Sequence, residues 1–476
     1  MKFHWFHLMP YPALPEDFRE RYRSVWVDAP ARELYDPEIG RQAYNDYLDE
    51  LEYADQVGFD GICVNEHHAN AYGLMPYPEL PADLKQRYRS VWVDLPAREV
   101  YDPEVGCRAY NDYLDELEYA DQLGFDGICV NEHHSNGYGT MPSPNLMAAA
   151  LARRTSHAAI VILGNSVVLY NPPIRIAEEM AMIDVMSGGR LVAGFPVGTP
   201  MDTAWCMGEN PTDSRDKYYE GVDLILRAWK SDKPFAFNGR HTQLRYVNPW
   251  PRPMQQPHPP VWIPGGGSFE TWGWCVQNDY LYAYLSYFGY KRAKAMMDGY
   301  WEAVEAGGRD RNPYRAAFLQ FIALAEDEAH AEELYSEAAL YFYDRCMHIY
   351  GGFANAPGYQ SAASVKRGLA SQVQQAASRG FGATVSWKQI VDDGYILVGN
   401  PKQVLEQLHD VCDTLHVGHL MTLMQFGNLG KAVTNYNTEQ FARHIMPKLR
   451  GRFSEYEDRW FPKGLGTGAA AAPVMA

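Results

Sequence analysis

The chain has few cysteines, and none of them stands at metal-binding or redox spacing. Its 7 cysteines are scattered over 476 residues, which suits a reducing cytoplasm and offers no disulfide framework. No HExxH or CxxC pattern occurs, so we expect no metal site. No apolar run is long enough to span a membrane, and the N-terminal stretch turns acidic too soon for a signal peptide. These absences predict a cytoplasmic protein.

Positive charge is also scarce in the sequence. The formal net charge is −17, which disfavours nucleic acids and anionic membranes as partners but says little about small-molecule substrates. No GxGxxG motif follows the first predicted strand, and this counts against a dinucleotide-binding fold. Apolar residues, in contrast, are plentiful: they make up 46% of the chain, enough to bury a large core.

Predicted strands and helices, such as the helix at Pro401–Leu415, alternate through most of the chain. Such alternation indicates an α/β fold in which helical crossovers connect parallel strands. Because eight strands can be counted, we favour a closed (β/α)8 TIM barrel with insertions over an open sheet. Residues 1–450 are assigned to one barrel domain and residues 451–476 to a C-terminal tail. The predicted strands are Lys2–Leu8, Phe125–Asn131, Ala158–Leu169, Arg190–Gly194, Pro260–Pro264, Tyr280–Phe288, Ala316–Ala325 and His419–Phe426.

One segment near the N-terminus occurs twice. Met9–Leu74 and Met75–Thr140 align without a gap over 66 residues and differ at 14 positions, which we interpret as a tandem duplication. A barrel has one slot for its second strand, whereas Phe59–Val64 and Phe125–Val130 both fit it. We favour the second copy because its strand leads into the next helix through a short loop. The first copy then becomes an excursion.

Three polar residues follow the strand of the second copy. Glu132, His133 and His134 stand where a barrel strand would end, and in parallel barrels the chemistry lies at that edge. Side chains alternate along a strand, so His133 faces inward and is the candidate proton-handling group, with Glu132 beside it. The first copy repeats this histidine as His67. A histidine at a strand end can also be an ordinary hydrogen-bonding loop residue.

A glycine-rich loop follows the predicted strand at residues 260–264. Gly265–Ser268 and Thr271 would bring backbone N–H groups and a helix N-terminus close to an anion, as in phosphate-binding loops. Arg215 is the nearest cation that could clamp a phosphate. The alternatives are a glycine-rich turn without a ligand and an arginine exposed on the surface.

Four segments in this order resemble the bacterial-luciferase-like flavin monooxygenases. GFDGICVNEHH resembles the family's second strand with its active-site histidine, and IRIAEEMAMIDVMSGGRLVAG resembles its third helix and fourth strand. PPVWIPGGGS resembles the strand and loop on the phosphate side. VGNPKQVLEQL, followed by HLMTLMQFGNL and HIMPKLR, resembles the eighth strand and the closing helix. The resemblance covers nearly the whole chain apart from the duplication and its Pro- and Arg-rich stretch.

The resemblance implies roles for individual residues. His133 would be the catalytic histidine beside the flavin, with Glu132 orienting an imidazole and His67 as the displaced twin. Ser166–Val167 matches the place where sister enzymes carry a non-prolyl cis peptide bond under the flavin ring. Val197 stands near the position where luciferases have a phosphate-binding arginine, so this clamp would lack one cation. The cofactor-binding residues implied are Asn165, Ser166, Val167, Ser214, Arg215, Gly266, Gly267, Ser268 and Thr271.

The activity that the resemblance implies is monooxygenation. Reduced FMN, supplied by a separate flavin reductase, would react with O2 to give a C4a-(hydro)peroxyflavin that oxygenates a small apolar substrate. The protein would orient the flavin and exclude water. The resemblance also implies a homodimer that pairs through early barrel helices. Two alternatives stay open: an F420-dependent dehydrogenase of the same fold, and a non-catalytic flavin-binding barrel whose site the duplication has spoiled.

Overall fold

The computed structural model describes residues 4–7, 17, 21, 31–56, 61–64, 78–91, 95–134, 142–266, 268–347, 356, 358–359 and 385–463. Its strands are β1 (His4–His7), β2 (Gly61–Val64), β3 (Gly127–Val130), β4 (Ala159–Ile162), β5 (Leu191–Gly194), β6 (Phe235–Asn238), β7 (Gln243–Val247), β8 (Val261–Gly265), β9 (Leu281–Tyr284), β10 (Ala316–Leu324), β11 (Ile396–Gly399) and β12 (His419–Leu423). Its α-helices are α1 (Ala31–Leu34), α2 (Pro37–Gln56), α3 (Leu84–Arg87), α4 (Ala97–Val100), α5 (Pro103–Gln122), α6 (Pro144–Arg154), α7 (Ile174–Met186), α8 (Ser214–Lys230), α9 (Phe269–Asn278), α10 (Gly289–Ala306), α11 (Glu328–Tyr341), α12 (Trp387–Asp392), α13 (Pro401–Leu415), α14 (Lys431–His444) and α15 (Met446–Leu449).

Eight of the strands form one parallel sheet. The spatial order runs from β3 through β4, β5, β8 and β9 to β10, and β10 pairs with both β11 and β12. Helices connect successive strands, as parallel pairing requires. The predicted α/β architecture is therefore confirmed, and the sheet with its outer helices is of the TIM-barrel type. The strands β6 and β7 form a separate antiparallel hairpin, which the apolar pattern of the sequence does not predict.

The sheet differs from the prediction at its first strand. β1 pairs in parallel with β2 of the first copy, from His4 opposite Gly61 to His7 opposite Val64, in a separate two-stranded sheet. The eighth strand of the main sheet is instead β11, which was not among the predicted strands. The physical reason is that β2 and β3 share the sequence GICV. Two chemically equivalent partner strands are therefore available to β1.

The second copy supplies its strand to the main sheet. β3 pairs with β4, from Gly127 opposite Ala159 to Val130 opposite Ile162. Ile128 and Val130 are buried in a cluster with residues of the covering helices, whereas Cys129 between them is exposed. The side chain at position 129 therefore points to the other face of the sheet, as strand alternation requires.

The helices bury apolar stripes against this sheet. In α13, for example, Val404, Leu408 and Val411 are buried at helical spacing. The helix begins at a capping box, in which Asn400 and Gln403 exchange side-chain and backbone hydrogen bonds. Among the residues that the structure describes, no helix has the length and apolar character needed to cross a membrane.

The helix of the first copy lies outside the barrel. α2 packs on α7, and its Asp49 accepts a hydrogen bond from Arg153 at the end of α6. The neighbouring Arg154 forms an ion pair with Asp115 of α5. Asp49 and Asp115 occupy the same position in the two copies. The helix α6 is therefore held between two copies of one helix, α5 beside it in the barrel layer and α2 outside.

Residues of the predicted C-terminal tail pack against the amino-terminal end of the strands. Trp460 is buried inside the sheet, where its carbonyl accepts a hydrogen bond from Trp262 Nε1 at 2.7 Å. The ring of Phe461 stacks on His419, the first residue of β12, with centroids 5.8 Å apart. A Cβ at Gly127, the first residue of β3, would lie 3.8 Å from the same ring. Phe461 thus lies close to the first residues of both β3 and β12.

Candidate active site

The loops after β3, β4 and β5 meet at the carboxyl edge of the sheet. They carry Glu132–His134, Asn165–Val167 and a π-helical segment, Met201–Cys206. Short π-helical segments are rare and often occur at functional sites. Gly198 (φ +90°) allows the last two loops to approach each other, because a Cβ there would lie 2.9 Å from Ser166 Oγ. The three loops therefore form one cluster of polar residues.

His133 forms a buried pair with an acid that the sequence analysis does not identify. Its Nδ1 lies 2.9 Å from Oδ2 of Asp202. The other carboxylate oxygen accepts the backbone N–H of His134 at 2.7 Å, and Thr199 Oγ1 donates to Oδ2 at 2.9 Å. His133 and Asp202 are 9% and 2% exposed. The carboxylate of Asp202, in the loop after β5, therefore fixes the orientation of the His133 imidazole.

Glu132 orients the other histidine and joins two of the loops. Its Oε1 lies 2.8 Å from His134 Nε2, and its Oε2 accepts the backbone N–H of Ser166 at 2.8 Å. Burial raises the pKa of Glu132 above its ordinary value, while the hydrogen bond to His134 opposes this shift. Glu132 thus contacts His134, whereas His133 contacts a different acid, Asp202.

The segment after β4 is buried but does not carry the cis bond. Asn165 donates to the carbonyl of Gly164 and to the hydroxyl of Tyr170, and the side chain of Val167 packs in the core. In the described part of the chain, the cis peptide bonds are all Xaa–Pro bonds, and Ser166–Val167 is not one of them. A non-prolyl cis bond costs about 2.5–4 kcal/mol, and no such conformation is imposed here.

Arg215 has a buried nitrogen without a hydrogen-bond partner in the described part of the chain. Its Nη1 is shielded from solvent, and no acceptor of the described residues lies within hydrogen-bonding distance. Ser214 beside it is buried at the start of α8 and donates to the carbonyl of Asn210. Burial raises the pKa of Tyr359 to about 12, and the positive charge of Arg215 partly offsets this rise. The hydroxyl of Tyr359 in turn donates to the carbonyl of Gly198, which links Arg215 to the cluster.

The glycine-rich loop leads into α9 with room around its backbone. A Cβ at Gly266 would meet no atom of the described residues within 4 Å. Ser268 is the N-cap of α9 and accepts the backbone N–H of Thr271, whose hydroxyl lies 3.1 Å from Ser268 Oγ. The carboxylate of Glu270 also accepts from Ser268 Oγ at 3.0 Å. The loop offers backbone N–H groups at a helix N-terminus, with one acidic side chain beside them.

The structure brings some of the predicted residues together and leaves others apart. Glu132, His133 and Ser166 are in one hydrogen-bonded cluster through Asp202 and the backbone. The helices α8 and α9 pack on each other through the rings of Tyr218 and Trp274, 5.3 Å apart. This ring contact brings together the two helices whose first turns carry the predicted phosphate residues. His67 and Gly267 lie outside the described residues.

Two site residues were missed by the sequence analysis. Asp202 had a usable signal, because it is an acid in an otherwise apolar stretch shortly after a strand. Tyr359 had none, since it lies in an irregular part of the sequence. No group of three or more His, Cys, Asp or Glu side chains that could hold a metal ion occurs among the residues described here.

The fold and the site define a parallel α/β barrel with two acid–histidine pairs and a glycine-rich loop at the carboxyl ends of its strands. Comparison with known proteins assigns this class to a family. The family model described as luciferase-like monooxygenase matches residues 89–416. The chain belongs to this family.

Individual relatives are more distant. A flavin-dependent trigonelline monooxygenase, oxygenase component, from Acinetobacter baylyi is 31% identical over 173 residues, which are 34% of this chain and 45% of that protein. The chain thus spans less than half the length of this curated relative. Two solved structures share the fold. The FMN complex of the oxygenating constituent of 3,6-diketocamphane monooxygenase from Pseudomonas putida has a TM-score of 0.59 at 17% identity, covering 80% of this chain and 99% of that one. An F420-dependent secondary alcohol dehydrogenase has a TM-score of 0.53 at 19% identity, covering 71% and 94%.

Proposed function

We propose that the chain is the oxygenase of a flavin-dependent monooxygenase, which uses reduced FMN and O2 to oxygenate a small apolar organic substrate. The observation that carries this proposal is the buried His133–Asp202 pair, which fixes an imidazole at the carboxyl edge of a barrel of this family. A histidine held in this way is suited to proton transfer near neutral pH.

The residues present fit the phosphate of a flavin. The buried Nη1 of Arg215 has no acceptor among the residues that the structure describes, and an anion would supply one with a charge-assisted hydrogen bond. The open space at Gly266 allows backbone N–H groups to approach the same anion. Val197 packs against the core, so the arginine near this position in luciferases has no counterpart here. One cation and a glycine-rich loop would therefore share the phosphate.

The chain's own residues would orient the cofactor and handle protons. When bound, reduced flavin supplies the electrons and the reaction with O2. Asn165, Ser166 and Val167 are buried after β4, and we assign them to the floor on which the flavin would lie. His133 would hold or deliver a proton at its ring edge that faces away from Asp202. Burial of these groups excludes water from the site.

The segment that carries Asp202 also offers an apolar surface. Trp205 and Met207 are 51% and 46% exposed, although large apolar side chains usually avoid water. They follow Asp202 by three and five residues, and Cys206 between them contacts the carbonyl of His134. We assign these side chains to the wall that receives an apolar substrate. The aromatic stretch after residue 280 is not this wall, because β9 is buried in the core.

A separate flavin reductase is part of the proposal. The relative from Acinetobacter baylyi is named as an oxygenase component, and a component of this kind receives its reduced flavin from another protein. The F420-dependent dehydrogenase remains the second candidate, since a structure of that activity shares the fold. A non-catalytic barrel is the third.

The experiment that separates these functions is an anaerobic titration of the purified apoprotein with reduced FMN and with reduced F420. We expect saturable binding of reduced FMN and none of F420. Binding of F420 alone would favour the dehydrogenase, and binding of neither would favour the non-catalytic barrel.

A matched pair of variants tests the histidine. We expect His133→Ala to lower flavin-dependent oxidation by about 10²-fold or more, the usual contribution of a general acid or base. His67→Ala should leave the rate unchanged, because β3 rather than β2 stands in the main sheet. A loss confined to the His67 variant would reverse the assignment, and equal partial losses would mean that both copies are used.

A further inference from the structure

The two neighbouring histidines are held by different acids through opposite ring nitrogens. His133 is bound at Nδ1 by Asp202, whereas His134 is bound at Nε2 by Glu132. The Nε2 atom of His134 therefore faces a carboxylate that is itself tied to the backbone of Ser166. In His133 the Nε2 edge lies opposite the carboxylate. Of the two rings, His133 is the one whose Nε2 is not directed at its acid.

We propose that Asp202 is a positioning residue, which holds His133 in the tautomer with the proton on Nδ1 and so makes Nε2 the basic nitrogen. An ionised carboxylate accepts hydrogen bonds and donates none. The two oxygens of Asp202 already accept from His134 N and Thr199 Oγ1. Since an ionised carboxylate has no proton to donate, His133 Nδ1, at 2.9 Å from Oδ2, must be the donor of this hydrogen bond. The catalytic meaning of this tautomer rests on the proposed function, but the tautomer itself does not.

The surrounding chain fixes the carboxylate as well as the imidazole. Asp202 is 2% exposed and belongs to the π-helical turn Met201–Cys206. The Thr199 hydroxyl donates to Oδ2 of Asp202 at 2.9 Å, and the same hydroxyl oxygen accepts the backbone N–H of Asp202 at 3.4 Å. A buried acid with three donors has little freedom to rotate. It can thus impose one orientation on the ring that it contacts.

The tautomer is measured on the full chain by two-bond ¹H–¹⁵N NMR of the histidine rings, with His133→Gln to assign the signal. We expect wild-type His133 to carry its proton on Nδ1 at neutral pH. Asp202→Asn should abolish this pattern, because the amide can present an N–H to the ring. Thr199→Val is the matched control: it removes another donor to the same Oδ2 and should leave the His133 signal in place.

Kinetics and binding complete the test. We expect Asp202→Asn to lower flavin-dependent oxidation at least about tenfold while the affinity for reduced FMN stays within about threefold. A proton on Nε2 in the wild-type protein, or a His133 spectrum that Asp202→Asn leaves unaltered, would overturn the proposal. The wild-type spectrum decides the matter even if the variant does not fold. If the tautomer changes as expected but no flavin binds, the proposed function fails and the positioning role stands. If the protein binds and uses flavin but His133 carries its proton on Nε2, the proposed function stands and the positioning role of Asp202 fails.

Discussion

Glu116 and Glu50 occupy equivalent positions in the two copies, but their environments differ. Glu116 lies in α5, is 8% exposed, and burial raises its pKa to about 8, with Asp112 adding to the shift. Glu50 lies in α2 and is exposed. The sequence around both residues is identical from Ala43 to Gln56 and from Ala109 to Gln122. Position in the fold, and not local sequence, therefore sets the difference.

This contrast predicts a dependence of stability on pH. A carboxyl whose pKa is higher in the folded state favours folding below its ordinary value of 4.5 and loses that contribution as pH rises toward 8. In the wild type, this carboxyl should lower the unfolding free energy by up to about 1.4 kcal/mol for each pH unit between its ordinary pKa and pH 8. We expect this loss to be absent from Glu116→Gln. Urea unfolding at pH 6 and pH 8.5 measures it. Glu50→Gln is the control and should follow the wild type. A wild-type slope that survives in Glu116→Gln would show that other groups cause it.

Arg215 gives a second prediction at the residue scale. Arg215→Ala should weaken binding of reduced FMN about 10- to 100-fold, the range that a lost hydrogen bond to a charged group corresponds to, while the melting temperature changes little. The reason is that its buried Nη1 has no hydrogen bond to lose within the described ranges of the chain. Fluorescence titration and thermal unfolding measure the two effects. Arg240→Ala, at a side chain that is 70% exposed beside Asp216, should change neither. Unchanged affinity in a folded Arg215 variant would contradict the assignment.

Residue patterns reveal the histidine but not its partner. The strand before Glu132 and the polar residues after it can be read from period-two alternation, which is local. Asp202 reaches His133 from 69 positions away, through the geometry of two loops that no local pattern encodes. The absence of a cis bond at Ser166–Val167 is likewise a property of packing. Local sequence therefore predicts the candidate, and the fold determines what orients it.

At the scale of helices and strands, the sequence predicts an element's ends best where capping residues and an apolar stripe mark them. Pro401–Leu415 was predicted as a helix and is one, because Asn400, Pro401 and the apolar stripe mark it. The strand predicted at Tyr280–Phe288 ends at Tyr284. The chain then turns so that Gly289, with φ +71°, can begin α10, where a Cβ would clash with the carbonyl of Gly394. An aromatic run continues through this turn, so composition alone extends the strand too far.

The pairing of β1 can be tested by cross-linking. Phe6 is in register with Cys63 of β2, and adjacent strands lie about 4.8 Å apart. We expect Phe6→Cys to be joined to Cys63 by a short thiol cross-linker, as shown by mass spectrometry of the linked peptides. The peptides of the two copies differ at position 57 against 123, so they can be told apart. Cys63→Ser should abolish the product and Cys129→Ser should not. A link to Cys129 would mean that β1 pairs with β3.

At the scale of the whole molecule, both copies carry the residues that are needed to pack into the barrel. The contacts of the second copy with the rest of the barrel use Asp115, Glu118 and Asp121, which bond Arg154 and the backbone before β4. The first copy has the same residues as Asp49, Glu52 and Asp55. The copies differ in how the chain connects them to the barrel, because only the second copy leads directly into α6. The homodimer implied by the resemblance stays a prediction, and it must accommodate α2, which lies on α7.

Two matched deletions therefore provide the sharpest test of the molecule as a whole. Removing residues 9–74 joins Leu8 to Met75, and removing residues 75–140 joins Leu74 to Met141. Each leaves 410 residues (476 − 66), and the products differ at the 14 positions that distinguish the copies. No difference falls within Ala43–Gln56 or Gly58–His68. We expect both products to fold and to bind reduced FMN within about threefold of the full chain, because the main sheet uses the strand of only one copy.

The same deletions uncover the outer face of α7. Without the excursion of the first copy, β1 should pair with the remaining strand and close the barrel, and the face that α2 covers becomes available to a second molecule. Light scattering should then show dimers at lower protein concentration than the full chain requires. If the chain lacking residues 9–74 loses flavin binding while the chain lacking residues 75–140 retains it, the first copy builds the working site. If neither binds flavin, both copies are needed, and the excursion is an integral part of the barrel.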